Sequence, residues 1–254
     1  MQLVWLTAFG VGGATIVGAL LGFLIKKVPH RFNDAVLGFA AVVMLAAAVL
    51  GLILPSMEFG GEHGVWITIP GVFCGALFLN VIDRLVPHLH ALAGIGEDHE
   101  RHPDSVAELN RVLLFVTAIA IHNLPEGVAA GVSFGTGNMG DALTVAGGIA
   151  LQNIPEGMVI IAPMLAAGIS RRRTFLIALS TGLVEVLGTL FGYFAVNVAA
   201  VILPIALAFA GGTMLSVVSD EMIPETHAHG FERGATYALL AGFCVMLLLE
   251  AYLG

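Results

Sequence analysis

Two short phrases in this chain follow one pattern: His122-Asn123-Leu124-Pro125-Glu126-Gly127 and Gln152-Asn153-Ile154-Pro155-Glu156-Gly157. Both sit inside strongly apolar stretches, where an ionised carboxylate is costly unless it is paired, hydrated or bound to a cation. On a helix, residues four apart share a face, so His122 projects with Glu126 and Gln152 with Glu156. Asn123 and Asn153, three residues before each glutamate, lie near that face. Pro125 and Pro155 lack an N–H and crowd the carbonyl four residues back, so each helix is expected to kink. The carbonyls of Ile121 and Leu151 then leave the helix ladder, and within a membrane they need protein, water or an ion instead. The expected result is a polar pocket lined by one imidazole, two carboxylates and several amide oxygens.

A third carboxylate, Glu185, falls mid-way along another apolar stretch. Three glutamates at one depth repel one another unless they are protonated or bound to cations. A pair of divalent ions bridged by Glu126 and Glu156 would resolve that repulsion. Imidazole with carboxylate suits Zn2+, Fe2+ or Mn2+ better than Ca2+ or Na+, and no thiolate stands nearby for Cu(I). The ligands bind only when deprotonated, so protons compete with metal. A single copy could be a kinked helix with a protonated, packing glutamate. Two copies together with Glu185 point to metal.

The elements that must hold these residues are membrane spans. Hydrophobic residues make up 58% of the 254 and charged residues 11%, with a mean hydropathy of +0.96, well outside the range of a soluble domain. Eight spans of about 20 residues would use most of the chain. They are expected near 3–25, 33–54, 65–83, 110–136, 141–167, 174–196, 200–219 and 234–253, with Asn197 and Pro204 at the turn before the seventh. Cys74 and Cys244 form no CxxC and read as small core residues.

Basic residues orient the spans. No Lys or Arg precedes Lys26, so the first span lacks the basic start of a secretory signal and is expected to be retained, N-terminus outside. Alternate loops then hold Lys26, Lys27 and Arg31; Arg84, Arg101 and Arg111; Arg171, Arg172 and Arg173; and Arg233. The loops near 55–64, 137–141 and 197–203 hold none. That division satisfies the positive-inside rule. The longest loop, about 84–109, is cytoplasmic on this reading and carries His88, His90, His99 and His102 among acidic residues. A basic stripe or an aromatic platform for nucleic acid is lacking.

At these residues the chain resembles the ZIP family of divalent-metal transporters, in its bacterial GufA-like branch. The likeness is carried by the doubled motif, by Gly38-Phe39-Ala40-Ala41 leading to Met44, by Leu183-Val184-Glu185, and by Asp220-Glu221-Met222-Ile223-Pro224-Glu225-Thr226-His227. It implies an all-α integral membrane protein of eight transmembrane helices, with helices 4 and 5 sandwiched by pseudo-symmetric three-helix sets, in one domain over 1–254. It also implies import of divalent cations into the cytoplasm, zinc foremost and Cd2+, Fe2+ or Mn2+ as alternates. The implied motion is an elevator-like slide of helices 1, 4, 5 and 6.

By the same resemblance Met44, His122, Glu126, Gln152 and Glu156 form one metal site. Asn123, Glu126, Asn153, Glu156 and Glu185 form a second. Without the resemblance, Met44 would read as core filler. Glu58 falls where cations are first captured outside, and Asp34, Asp83, His88, His90, Asp220 and Glu221 fall on the inner exit route. Family members often carry Asp where Asn153 stands and His where Asp220 stands. The first departure removes a charge from the second site; the second shifts exit ligation toward oxygen.

An intramembrane metal-dependent hydrolase, with Glu126 as general base, is the main alternative. That chemistry usually takes two or three histidines, and only His122 is clearly intramembrane. A sensor would need an output domain, for which the short loops leave no room. The expectation is a non-enzyme of the plasma (inner) membrane with both termini outside. Its partners are divalent cations and the lipid bilayer, with a homodimer left open.

Overall fold

A computed structural model describes residues 1–24, 29–92, 117, 120–166, 168–198 and 200–253. Among these residues the chain is helical and has no strand. Helix α1 is Gln2–Leu24, α2 His30–Phe59, α3 Gly64–Leu92, α4 the helical residues 120–133, α5 Met139–Ala166, α6 Arg171–Val198, α7 Leu203–Thr226 and α8 Glu232–Leu253. All but α4 are long and apolar enough, over their described residues, to cross a membrane. Leu6, Phe73, Leu187, Phe191 and Tyr237 stand exposed on the outer faces, as lipid contact allows. This is a multi-pass membrane protein.

Two boundaries and one burial expectation differ from the sequence reading. Helix α3 runs on to Leu92, so residues 84–92, expected in the long loop, are a helical extension; residues 93–116 of that loop lie outside the described residues. Helix α7 reaches Thr226 and carries Asp220 and Glu221 on its last turns. Cys74 and Cys244 are exposed rather than in the core. They sit on α3 and α8, the two least buried spans, where a helix meets neighbours on one side only.

Two π-turns, Val49–Ile53 in α2 and Val218–Met222 in α7, precede Pro55 and Pro224. Each proline would clash with the carbonyl four residues back, at Gly51 or Asp220. Widening the helix by one residue absorbs the clash. The N–H groups of Leu54 and Ile223 accordingly reach the carbonyls of Val49 and Val218.

Inside lipid, helices associate by close packing rather than by expelling water, which favours glycine at crossings. Helix α1 packs on α5 and α6, α2 on α8 and α3 on α7. A methyl on Gly18 would strike the Ile154 carbonyl of α5, as one on Gly188 would strike the Leu124 carbonyl of α4. Gly157 lies against the Thr15 backbone, as Gly127 lies against the Glu185 backbone, and Gly12 and Gly182 face each other. Leu124 and Ile154 hold the same place in the doubled motif, so α1 meets α5 as α6 meets α4. The paired π-turns extend this relation to α2 and α7. An inverted repeat of this kind is the usual frame for a binding site near the midplane, and it places α4 and α5 between two matching three-helix sets.

Candidate metal centre

A cavity of about 960 Å³ runs from the doubled motif to the end of the molecule where α2 begins and α7 ends. Its inner wall is His122 and Glu126 from α4 with Gln152 and Glu156 from α5; Asp220, Glu221 and Glu225 of α7, His30 and Asn33 of α2, and His229 complete it. The i, i+4 spacing places each pair on one helix face, and the two faces meet here. His122, Glu126 and Gln152 are buried, while Glu156 is half-buried. Helix α5 is continuous through Pro155.

His122 Nε2 lies 3.0 Å from Glu221 Oε1, across from α4 to α7. Glu156 lines the same cavity, and Gln152 hydrogen-bonds Glu126. Among the described residues of the two motifs, three buried oxygens have no hydrogen-bond partner: Asn123 Oδ1, Glu126 Oε2 and Gln152 Oε1. Buried polar atoms are normally paired. Three orphaned acceptors on neighbouring helices lack a donor, and a cation supplies what a donor would.

Glu185 is differently placed. It is fully buried and does not line the cavity. Thr15 donates to its Oε1 at 2.7 Å, Asn123 Nδ2 donates to the same oxygen, and Asn153 Nδ2 donates to Oε2 at 2.6 Å. Asn153 Nδ2 also reaches the Val11 carbonyl at 3.2 Å. The structure thus divides the expected ligands into a cavity group and a hydrogen-bonded cluster behind it.

The remaining expected residues are scattered. Met44 is buried in the hydrophobic core and does not line the cavity. Glu58 is exposed at the far end of α2. Asp34 is fully buried, with Oδ1 3.0 Å from His229 Nδ1 and Oδ2 unpartnered. Asp220 and Glu221 are exposed on the cavity wall. The side chains of Asp83, His88 and His90 lie outside the described residues. Among the described residues, no three His, Cys, Asp or Glu side chains stand close enough to hold a metal ion; the cavity group relies on an amide beside its acids and imidazole.

Sequence reasoning missed His229, whose ring also stacks on His30 at 4.4 Å. No local pattern marks it, because its partners are brought by α2. It missed Thr15 too. There a signal existed: Gly12-x-x-Thr15-x-x-Gly18 matches Gly182-x-x-Glu185-x-x-Gly188.

A multi-pass helical membrane protein with an inverted repeat and cation-suited acceptors at its centre belongs to the transporter class. The family model "ZIP Zinc transporter" matches residues 96–250. The chain is 41% identical to zinc transporter GufA of Myxococcus xanthus over 249 residues, covering 96% of each protein. It is 40% identical to zinc transporter ZIPB of Bordetella bronchiseptica, over 95% of this chain and 78% of that one. With human zinc transporter ZIP11 the identity is 33%, over 98% and 96%. The chain belongs to the ZIP family of transporters, and it is not an enzyme.

Proposed function

We propose that the chain imports divalent transition-metal ions, zinc foremost, passing them from the doubled motif through the acidic cavity to the cytoplasm. The observation that carries this reading is the set of orphaned buried oxygens on Asn123, Glu126 and Gln152 beside His122 and Glu156. Mixed imidazole, carboxylate and amide donors suit a borderline cation held for transit better than one stored in a closed cage. Cd2+, Fe2+ and Mn2+ fit the same donors. The relatives' printed names favour zinc among these.

Residues 1–254 act as one transport unit. The cavity opens at the end that carries Arg31 and Arg233, which the positive-inside rule assigns to the cytoplasm of the inner membrane, with both termini outside. Helices α1, α4, α5 and α6 slide as a body against α2, α3, α7 and α8. Met44 and Glu58 belong to loading from outside; Asp34, Asp83, His88, His90, Asp220 and Glu221 belong to release. Two copies pairing as a homodimer would leave this path within each chain.

Purified protein sealed into vesicles with a zinc-responsive dye inside is expected to accumulate zinc. Empty vesicles, or cleavage of lipid or peptide without accumulation, would overturn the reading.

A further inference from the structure

The turn between α7 and α8 gathers four side chains that stand apart from the doubled motif. Asp34 of α2 is fully buried, and its Oδ1 accepts a hydrogen bond from His229 Nδ1 at 3.0 Å. Its Oδ2 is buried with no hydrogen-bond partner. His30, at the start of α2, stacks on the His229 ring with centroids 4.4 Å apart. His229 Nε2 lies on the other edge of that ring, 3.9 Å from Glu225 Oε1. His30, Glu225 and His229 all line the cavity that runs out from the doubled motif.

A carboxylate only accepts, so Nδ1 carries the proton, and in the neutral ring Nε2 keeps a lone pair. One ring nitrogen held by a buried carboxylate, with the other left open, is the arrangement that prepares a histidine for a metal. Two donors on one tetrahedral zinc, each about 2.1 Å from the ion, stand roughly 3.4 Å apart. The separation of 3.9 Å is slightly wide, and Glu225, 54% exposed, is free to swing in and close it. Asp34 is only half satisfied by hydrogen bonds, and a cation on the far nitrogen offsets its buried charge.

We propose that His229 Nε2 and Glu225 form a separate zinc site at the cavity mouth, completed by water, with Asp34 as the positioning residue that holds the imidazole. Each of these groups belongs to α2, α7 or the turn after it, in the body that does not carry the doubled motif. The site therefore keeps its geometry whichever way the motif helices move, and it takes the ion after it leaves them. Two protein donors and water hold zinc weakly, which suits hand-off to the cytoplasm. The role rests on the transport reading above, whereas the site itself is tested by binding alone.

The test is a titration of purified, metal-free protein with Zn2+ alone against a chelating dye, for wild type, Glu225→Gln, His229→Ala, Asp34→Asn and His122→Ala. Glu225→Gln and His229→Ala are each expected to hold one weakly bound zinc fewer per chain, with the tighter binding unchanged within about twofold. Asp34→Asn is expected to weaken that same ion about tenfold, the usual effect of losing the group behind a metal-bound histidine. His122→Ala should do the reverse and weaken the tighter binding alone. An unchanged zinc count in both Glu225→Gln and His229→Ala would overturn the proposal and leave Asp34 and His229 as a structural ion pair. So would equal loss of tight and weak binding in either variant, since the residue would then support the fold and not an ion. Wild-type affinity in Asp34→Asn would remove its positioning role. Wild-type vesicles that accumulate no zinc would instead sink the transport reading, and the titration would still decide the mouth site.

Discussion

The seams inside the two helix bodies differ in kind from the seam between them. Within the body of α1, α4, α5 and α6, glycines meet backbone: Gly18 on Ile154, Gly157 on Thr15, Gly127 on Glu185 and Gly188 on Leu124. The body of α2, α3, α7 and α8 has the same backbone contacts, with Gly75 on Phe209, Gly212 on Val72 and Gly242 on Phe39, beside two side-chain contacts, Gly71 on Ala208 and Gly211 on Ile53. Across the boundary glycines meet the tips of aliphatic side chains instead, Gly51 on Val145 and Gly148 on Met246. Met44, Ala47, Leu52, Val145, Ile149, Leu207 and Met246 fill the rest. Backbone contacts and buried hydrogen bonds fix register, whereas aliphatic surfaces are non-directional. The contrast suits two stiff bodies joined by a low-friction interface.

That contrast can be broken most directly at glycine. Gly18→Leu, which drives a side chain into the Ile154 backbone, is expected to abolish recovery of monodisperse protein, a cost beyond the usual overpacking range of about 1–3 kcal/mol. Gly148→Ala, which only has to displace the flexible end of Met246, should fold and show a melting midpoint close to wild type. Equal damage from both would remove the distinction between the seams.

The polar side of the comparison sharpens next. Removing His122 or Glu156 as alanine is expected to cut zinc uptake below about a tenth of wild type while chromatography shows intact protein, as expected when a ligand of a mixed-donor site is lost. Full uptake by either variant would rule out its side chain as a ligand. Acidifying the loading side should weaken zinc binding in wild type, because each proton on imidazole or carboxylate must leave before the cation enters. An affinity that rises on acidification would contradict this ligand chemistry.

The smallest effect belongs to Glu221. It reaches His122 across the boundary but is 47% exposed, and such pairs contribute within about 1 kcal/mol. Glu221→Ala should leave thermal stability nearly unchanged and alter only the rate of zinc release, followed by single-turnover efflux. A large loss of stability would mean that this contact, and not the aliphatic surface, joins the bodies.

Much of this architecture was legible in residue types. Long apolar runs with few charges give the spans, and the turn at Asn197 and Pro204 falls where α6 ends and α7 begins. The i, i+4 spacing gave the inward faces of α4 and α5. Register between distant helices was not legible, and it decides which carboxylates are free. From spacing alone Glu185 is one more buried carboxylate; that Thr15, Asn123 and Asn153 all donate to it follows from how α1, α4 and α5 pack around α6. The π-turns escaped notice because Pro55 and Pro224 look like ordinary span ends until the helix is seen to continue past them. Asp34 and His229 are joined by folding across most of the chain, a distance no local pattern bridges.

The paired π-turns carry one further consequence. If the two repeats exchanged conformations, the crevice now facing one side would close and its twin would open on the other, the general logic of inverted-repeat carriers. The twin would not be a replica. Where the present mouth shows Asp220 and Glu221, the matching places on α2 are Gly51 and Leu52. Arriving ions would pass Glu58 and then a π-turn without carboxylates, and would depart past the carboxylates of its twin, so the acidic side chains of the two turns belong to the exit alone.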